Sequence, residues 1–310
     1  MTKELKYLKE IGSDIPAHDE DDLLLEQLFQ LVDIEQFDRG RNFFKKNLFQ
    51  CSLAMLFSLV TGLSVSNLLD VLVATGKSSS ATTALMRYIK TFKHVLKWHY
   101  GNVWDISSDA AKSIQQVREM HVSARKLMLD RQEVSKTSGE PRLRVTQYDM
   151  SLVQCGFIGA IVMYPEDLGI KCTPSDLEDY VYFWRWIGHL LGMDEKHNLC
   201  ISGYEHAFKL CKAVERDILF PALINPPEQF YPMAHAVTDG VNKLTFLKLF
   251  SPHSIVASIP RYSFNTKLCF KDKLRVLVMK TLLRSLYYIQ SLGQFLSKRI
   301  EGIYRSDLMT

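Results

Sequence analysis

Apolar residues along this chain recur at the three-and-four spacing of a helix, and no segment sustains the strict alternation of a half-buried strand. A polar start with the acidic run Asp19-Glu20-Asp21-Asp22 leads into Leu23 to Val32, which reads as a short helix on the rim of the fold. Asn47 to Leu69 then runs 23 residues without a charge. That length would suffice for a bilayer span of about 20 residues. Its polar positions (Gln50, Ser58, Thr61, Asn67) and the helix-weakening Gly62 instead divide it into two pieces suited to a buried helix and its successor.

Thr75 to Ser80 ends the second piece and offers caps for the next helix. Thr83 to His99 follows with a strong stripe of Leu85, Tyr88, Ile89, Phe92, Val95, Leu96 and His99. The other side of that helix carries Arg87, Lys90, Thr91, His94 and Trp98. A third helix is expected from the cap pair Ser108-Asp109 to Val134, ended by the loop 135–141. Thr146 to Leu168 is apolar again. Thr173-Pro174-Ser175-Asp176 starts a helix whose core face holds Tyr180, Phe183, Trp184, Ile187 and Leu191. A further helix is expected from Gly203 to Phe220, stopping before Pro221. Lys271 to Arg299 is a basic, apolar helical pattern. It reads first as a bundle helix with a solvated basic face and second as a helix lying on a membrane surface.

With no internal repeat, these elements predict an all-α protein built as one large helical domain. Its expected organisation is a helical rim over 1–42, a central helical domain over 43–240, and a helical extension over 241–310 packed on the same domain.

Composition narrows the classes. A hydrophobic share of 47% with 23% charged residues is that of a chain able to bury a sizeable core. The net charge of +4 is too small and dispersed to point to nucleic acid. The opening residues lack the apolar run of a secretory leader, so an intracellular setting, cytoplasmic or at the endoplasmic-reticulum membrane, is expected. The six cysteines are scattered and read as free thiols. The letters Gly76-Lys77-Ser78 imitate a phosphate loop, but Val71 stands where its first glycine belongs. His189, His197, His206 and His235 read as structural or surface residues, with no ligand-spaced partner near them in sequence.

One histidine stands apart. His121 lies on the stripe Ala110, Ile114, Val117, Ala124 and Met128 of the third helix, flanked by Arg118 three residues before and Arg125 four after. Two guanidinium charges beside it disfavour an imidazolium, and a neutral ring is what metal ligation requires. Periodicity leaves two readings open: a hydrogen-bonded core histidine, the commoner fate of such a residue, and an iron ligand.

Arg118-x-x-His121-x-x-x-Arg125 resembles the haem-ligating helix of the latex-clearing protein and mycophenolic-acid-pathway oxygenase family. Arg87-x-x-Lys90-Thr91 is similar to that family's distal motif, and Thr91 and His121 stand 30 residues apart, as in the family. Gln147-Tyr148-Asp149-Met150 and Phe183-Trp184-Arg185-x-x-Gly188 resemble its animal and fungal members. The likeness covers roughly 43–240. It implies an all-helical, globin-like core around haem b, with dioxygen as co-substrate and oxidative cleavage of carbon-carbon double bonds in a hydrophobic, isoprenoid substrate. Position by position, it implies His121 as the iron ligand, Arg118 and Arg125 as cofactor-binding residues, and Arg87, Lys90 and Thr91 on the catalytic distal side.

The chain departs from the pattern in two places. The upstream acid that serves as a base in rubber-cleaving members has only Asp70, beside Val71, as a counterpart. Where those members carry a histidine after the Asp-Met pair, this chain has Gln154-Cys155. The departures keep two other readings open: an inactive helical haem- or lipid-binding protein, and a cofactor-free scaffold with peripheral membrane contact.

Overall fold

The computed structural model describes residues 1–17, 25–78, 80–135, 143–244, 248–260 and 268–308. The acidic run at 19–22 and most of the loop expected at 135–141 lie outside them. The described residues form helices without a strand, a single isolated bridge joining Pro16 to Thr146. The class is all-α.

In chain order the helices are α1 (Lys3–Gly12), α2 (Leu25–Leu31), α3 (Ile34–Lys46), α4 (Leu48–Gly62), α5 (Ser66–Ala74), α6 (Ala81–Tyr100), α7 (Asp109–Ser135), α8 (Gln147–Met163) and α9 (Pro174–Leu190). After a 3-10 turn at Glu195–His197 come α10 (Tyr204–Val214), α11 (Phe220–Ile224), α12 (Phe230–Asn242), α13 (Pro252–Val256), α14 (Phe270–Tyr288) and α15 (Gln290–Leu308). Side-chain caps fix several starts, each satisfying a backbone N–H the helix leaves open. Ser80 and Thr83 cap α6 reciprocally, Thr146 and Asp149 cap α8, and Thr173 and Asp176 cap α9 with Pro174 at its first position.

α8 is the axis of the fold. Tyr148, Leu152, Cys155, Ile158, Ile161 and Val162 are buried around its circumference, which is why its sequence shows apolarity without an amphipathic stripe. α9 packs against it through Trp184, which stacks on Phe157 of α8, and α3 lies along α9 through the ring contacts Phe43–Tyr180 and Phe37–Phe183. That last approach is close: a side chain at Gly40 would strike the Asp179 carbonyl oxygen and Phe183 Cβ.

α4 joins two apolar clusters into one domain. Leu48, Cys51 and Ala54 face the cluster around α8 and α9, whereas Leu53, Phe57 and Val60 face a second one built with α12, α13 and α14. The uncharged run over Asn47 to Leu69 is thus a core helix and its successor, bent by 93° at the break after Gly62. No single described helix is long and apolar enough to cross a membrane; only the bent α4–α5 pair qualifies, by length and composition.

Two expectations about helix ends fail. The Gly203 to Phe220 helix does not stop at Pro221; it passes through a π-helical turn at Glu215–Leu219 and continues as α11 to Ile224. Proline has no N–H and its ring crowds the carbonyl four residues back, and the wider turn before it relieves both constraints. Lys271 to Arg299 is two helices, α14 and α15, broken at Ile289.

Candidate functional site

The six candidate residues sit on α6 and α7, an adjacent pair joined by the short connection 101–108. Ser113 Oγ of α7 accepts a hydrogen bond from Trp98 Nε1 of α6 at 3.0 Å and lies 2.7 Å from His94 Nδ1. Burial lowers the pKa of His94, which favours a neutral ring in this hydrogen bond. At 1.5 Å per residue, His121 lies about 12 Å along α7 from Ser113, and Arg87–Tyr88 lies about as far along α6 from that contact, in the opposite chain direction. The two motifs thus lie on paired helices, about equally far from the contact at Ser113.

His121 combines three properties. Its Nδ1 is buried and has no hydrogen-bond partner among the described residues. Burial, with the Arg125 charge second, pushes its pKa down to about 4, so the ring is neutral near pH 7. The residue as a whole keeps intermediate exposure, so it is not fully enclosed.

His99 provides the contrast. It is also neutral, pushed down to about 3 by burial, with Nδ1–H donated to the Val95 carbonyl at 2.8 Å and Nε2 unpartnered. Its ring stacks on Phe44 at 3.7 Å and touches Phe183 at 4.2 Å, with no accessible surface. No group can approach that nitrogen.

Arg125 is buried and Nη1 donates to the Ala17 carbonyl at 3.0 Å, tying α7 to the segment after α1. Arg118 is half-buried on the same face. On α6, Arg87 Nη1 donates to Thr75 Oγ1 at 2.9 Å, anchoring the guanidinium to the end of α5, and burial lowers its pKa. Thr91 donates its hydroxyl proton to the Arg87 carbonyl at 3.2 Å, leaving the oxygen free to accept. Lys90 is exposed. Of the polar side of this helix, Trp98 is buried and His94 and Arg87 are hydrogen-bonded to neighbouring elements, so that side is largely an internal face. Tyr88, placed by periodicity on the core stripe, adds a buried, unpartnered hydroxyl, its pKa pushed up to about 12 by burial.

The position aligned with the family's base is occupied differently. Asp70 of α5 accepts a hydrogen bond from Arg144 Nη2 at 3.0 Å. Gln154, at the other departure, is a structural clasp. Its amide donates to the Trp184 carbonyl (3.1 Å) and Asn198 Oδ1 (2.9 Å) and accepts from the Leu199 N–H (2.8 Å).

His206, with no near partner in sequence, gains one through the fold, its Nε2 lying 2.5 Å from Glu4 Oε1. His197 Nδ1 lies 3.7 Å from the carboxylate of Asp194, three residues before it. Among the described residues no group of three His, Cys, Asp or Glu side chains could hold a metal ion.

A cavity of about 670 Å³ opens between α4, α8, α10 and α14, with Phe57, Leu152, Gly156, Met163, Val214 and Leu219 among its apolar walls. None of the six candidate residues lines it.

No curated protein and no solved structure matches the chain. Residues 49–199, just under half of the chain, match the family model described as ER-bound oxygenase mpaB/B'/Rubber oxygenase, catalytic domain. The matched segment runs from α4 past α9 and contains all six candidate residues. Over residues 49–199 the chain is thus similar to the catalytic domain of the mpaB and rubber oxygenase family.

Proposed function

We propose that this protein is a haem-dependent oxygenase that uses dioxygen to cleave a carbon-carbon double bond in a hydrophobic, isoprenoid-like substrate. The observation that carries the reading is His121: a neutral imidazole with a buried nitrogen that has no hydrogen-bond partner among the described residues, inside the matched oxygenase segment.

Haem b, when bound, would supply the iron that activates dioxygen for the cleavage. His121 offers a lone pair with no proton to displace, because Arg125 and burial both oppose protonation. Arg125, anchored on Ala17, holds the turn that carries the ligand in place, and Arg118 offers a cation for propionate carboxylates. On α6, Arg87 is positioned by Thr75 to stabilise developing negative charge. Thr91 can donate a hydrogen bond only by releasing the Arg87 carbonyl, so its proton is held in reserve at a defined atom. Lys90, on an exposed side chain one residue before Thr91, would border the distal side. The apolar cavity between α4, α8 and α14 suits a hydrophobic substrate.

One observation favours a second reading, haem or lipid binding without turnover: the acid nearest the family's base position is already paired with Arg144. A single series separates the two. Visible spectra of purified protein supplied with haemin should show a Soret band that is lost or shifted in His121→Ala. Oxygen uptake on isoprenoids by the loaded wild type then distinguishes turnover from binding. No band in the wild type would sink both haem readings.

A further inference from the structure

α14 has apolar residues on both of its faces. Met279, Leu283 and Leu286 are buried against the second core cluster. At about 100° per residue, Phe270, Leu274, Leu277, Val278 and Tyr288 fall on the opposite side, and Phe270, Leu277 and Tyr288 are 81%, 63% and 70% exposed. Among the described residues nothing covers this stripe. An apolar row of this length on the outside of a folded domain marks a contact surface.

The charges beside it identify the occupant. Lys273, Lys280 and Arg284 flank one edge of the stripe and Lys271 the other, all exposed. The acid of this helix, Asp272, is turned inward and consumed by Ser251 (2.6 Å) and Arg275 (2.9 Å). An apolar centre with cations on both flanks and an aromatic ring at each end is the pattern of a helix lying in the interface of an anionic bilayer. A protein groove would need acids placed to match both edges, whereas an anionic lipid surface meets them all at once.

The same helix borders the cavity. Lys280, Arg284 and Tyr288, all exposed, line it at the surface, and buried Leu283 lines it within. The geometry points to α14 as a membrane-docking helix that seats on an anionic lipid bilayer and sets the mouth of the 670 Å³ cavity at the headgroup boundary, open to apolar molecules dissolved in the membrane. Vesicle binding is read without haem or turnover, so its outcome is distinct from that of the oxygen-uptake series.

The test is co-sedimentation of the full chain with vesicles of phosphatidylcholine alone and of phosphatidylcholine and phosphatidylserine in equal parts. Three variants accompany it: Leu274→Glu with Leu277→Glu, Lys273→Glu with Lys280→Glu, and Ile106→Glu, an exposed apolar residue on the α6–α7 connection. Wild type and Ile106→Glu should bind the mixed vesicles, and each α14 variant should bind about tenfold more weakly or worse. Both α14 variants change exposed side chains, and melting curves matching the wild type verify their folds. Wild type that stays in the supernatant, equal binding to both vesicle types, or undiminished binding by both α14 variants would overturn the proposal. So would a concentration-dependent dimer that Leu274→Glu with Leu277→Glu dissolves in the absence of vesicle binding, since the stripe would then belong to a second copy.

Discussion

Arg144 Nη2 donates to Asp70 Oδ2 across 3.0 Å, linking the segment before α8 to α5 and occupying the carboxylate nearest the family's base position. Asp70 is half-exposed, and an ion pair of that kind contributes no more than about 1 kcal/mol. Asp70→Asn should therefore change stability little. If this carboxylate takes no proton during turnover, oxygen uptake on isoprenoids should stay within about twofold of wild type. A loss of a hundredfold or more would reinstate Asp70 as a general base.

The buried histidines set an acid limit. His99 and His121 have folded pKa values near 3 and 4 against an ordinary 6.5, so below pH 6.5 the unfolded chain binds protons that the folded chain refuses. Stability is complete above pH 6.5 and falls as pH drops from 6.5 towards 4. For the fully enclosed His99 alone the loss over that window is roughly 3 kcal/mol. Urea midpoints measured across pH 4 to 8 should show the decline, and His99→Phe should flatten part of it. A pH-independent midpoint would contradict the assignment.

Two glycines in helices should respond oppositely to alanine. At Gly40 a methyl would collide with the Asp179 backbone and Phe183 Cβ, forcing α3 from α9, and Gly40→Ala should cost at least about 2 kcal/mol in a denaturation curve. At Gly156 on α8 nothing lies within 4 Å of the added carbon, which would face the cavity. Gly156→Ala should gain up to about 1 kcal/mol from helix propensity.

Gln154→Leu should be costly despite its similar size. It removes both acceptors' donor and leaves the Leu199 N–H without a partner in the core. Roughly 2 to 4 kcal/mol is the expected loss, measured by urea denaturation. A variant as stable as wild type would show that the clasp around Asn198 closes by other means.

Much of this architecture was legible because its causes are local. Ser108 caps α7 through the Ala111 N–H at 3.0 Å, and Thr173 with Asp176 caps α9, as their residue types predict. The bend after Gly62 follows from a glycine near polar residues in an uncharged run. Local signals do not mark α1 or α12, and Pro221 reads as a stop because proline's local penalty is visible in sequence while the π turn that accommodates it is not.

For the candidate site the same division holds. The stripe through His121 and its flanking arginines follows from helical period and residue type, as does the all-α class. How far a histidine on an apolar stripe is enclosed depends on side chains brought from other elements: His99 is fully buried, whereas His121 keeps intermediate exposure. The pairing of Asp70 with Arg144, of Gln154 with Asn198, and of His206 with Glu4 joins residues 44 to 202 positions apart. Local propensity is silent at such separations, and only the packing of whole helices decides which side chains meet.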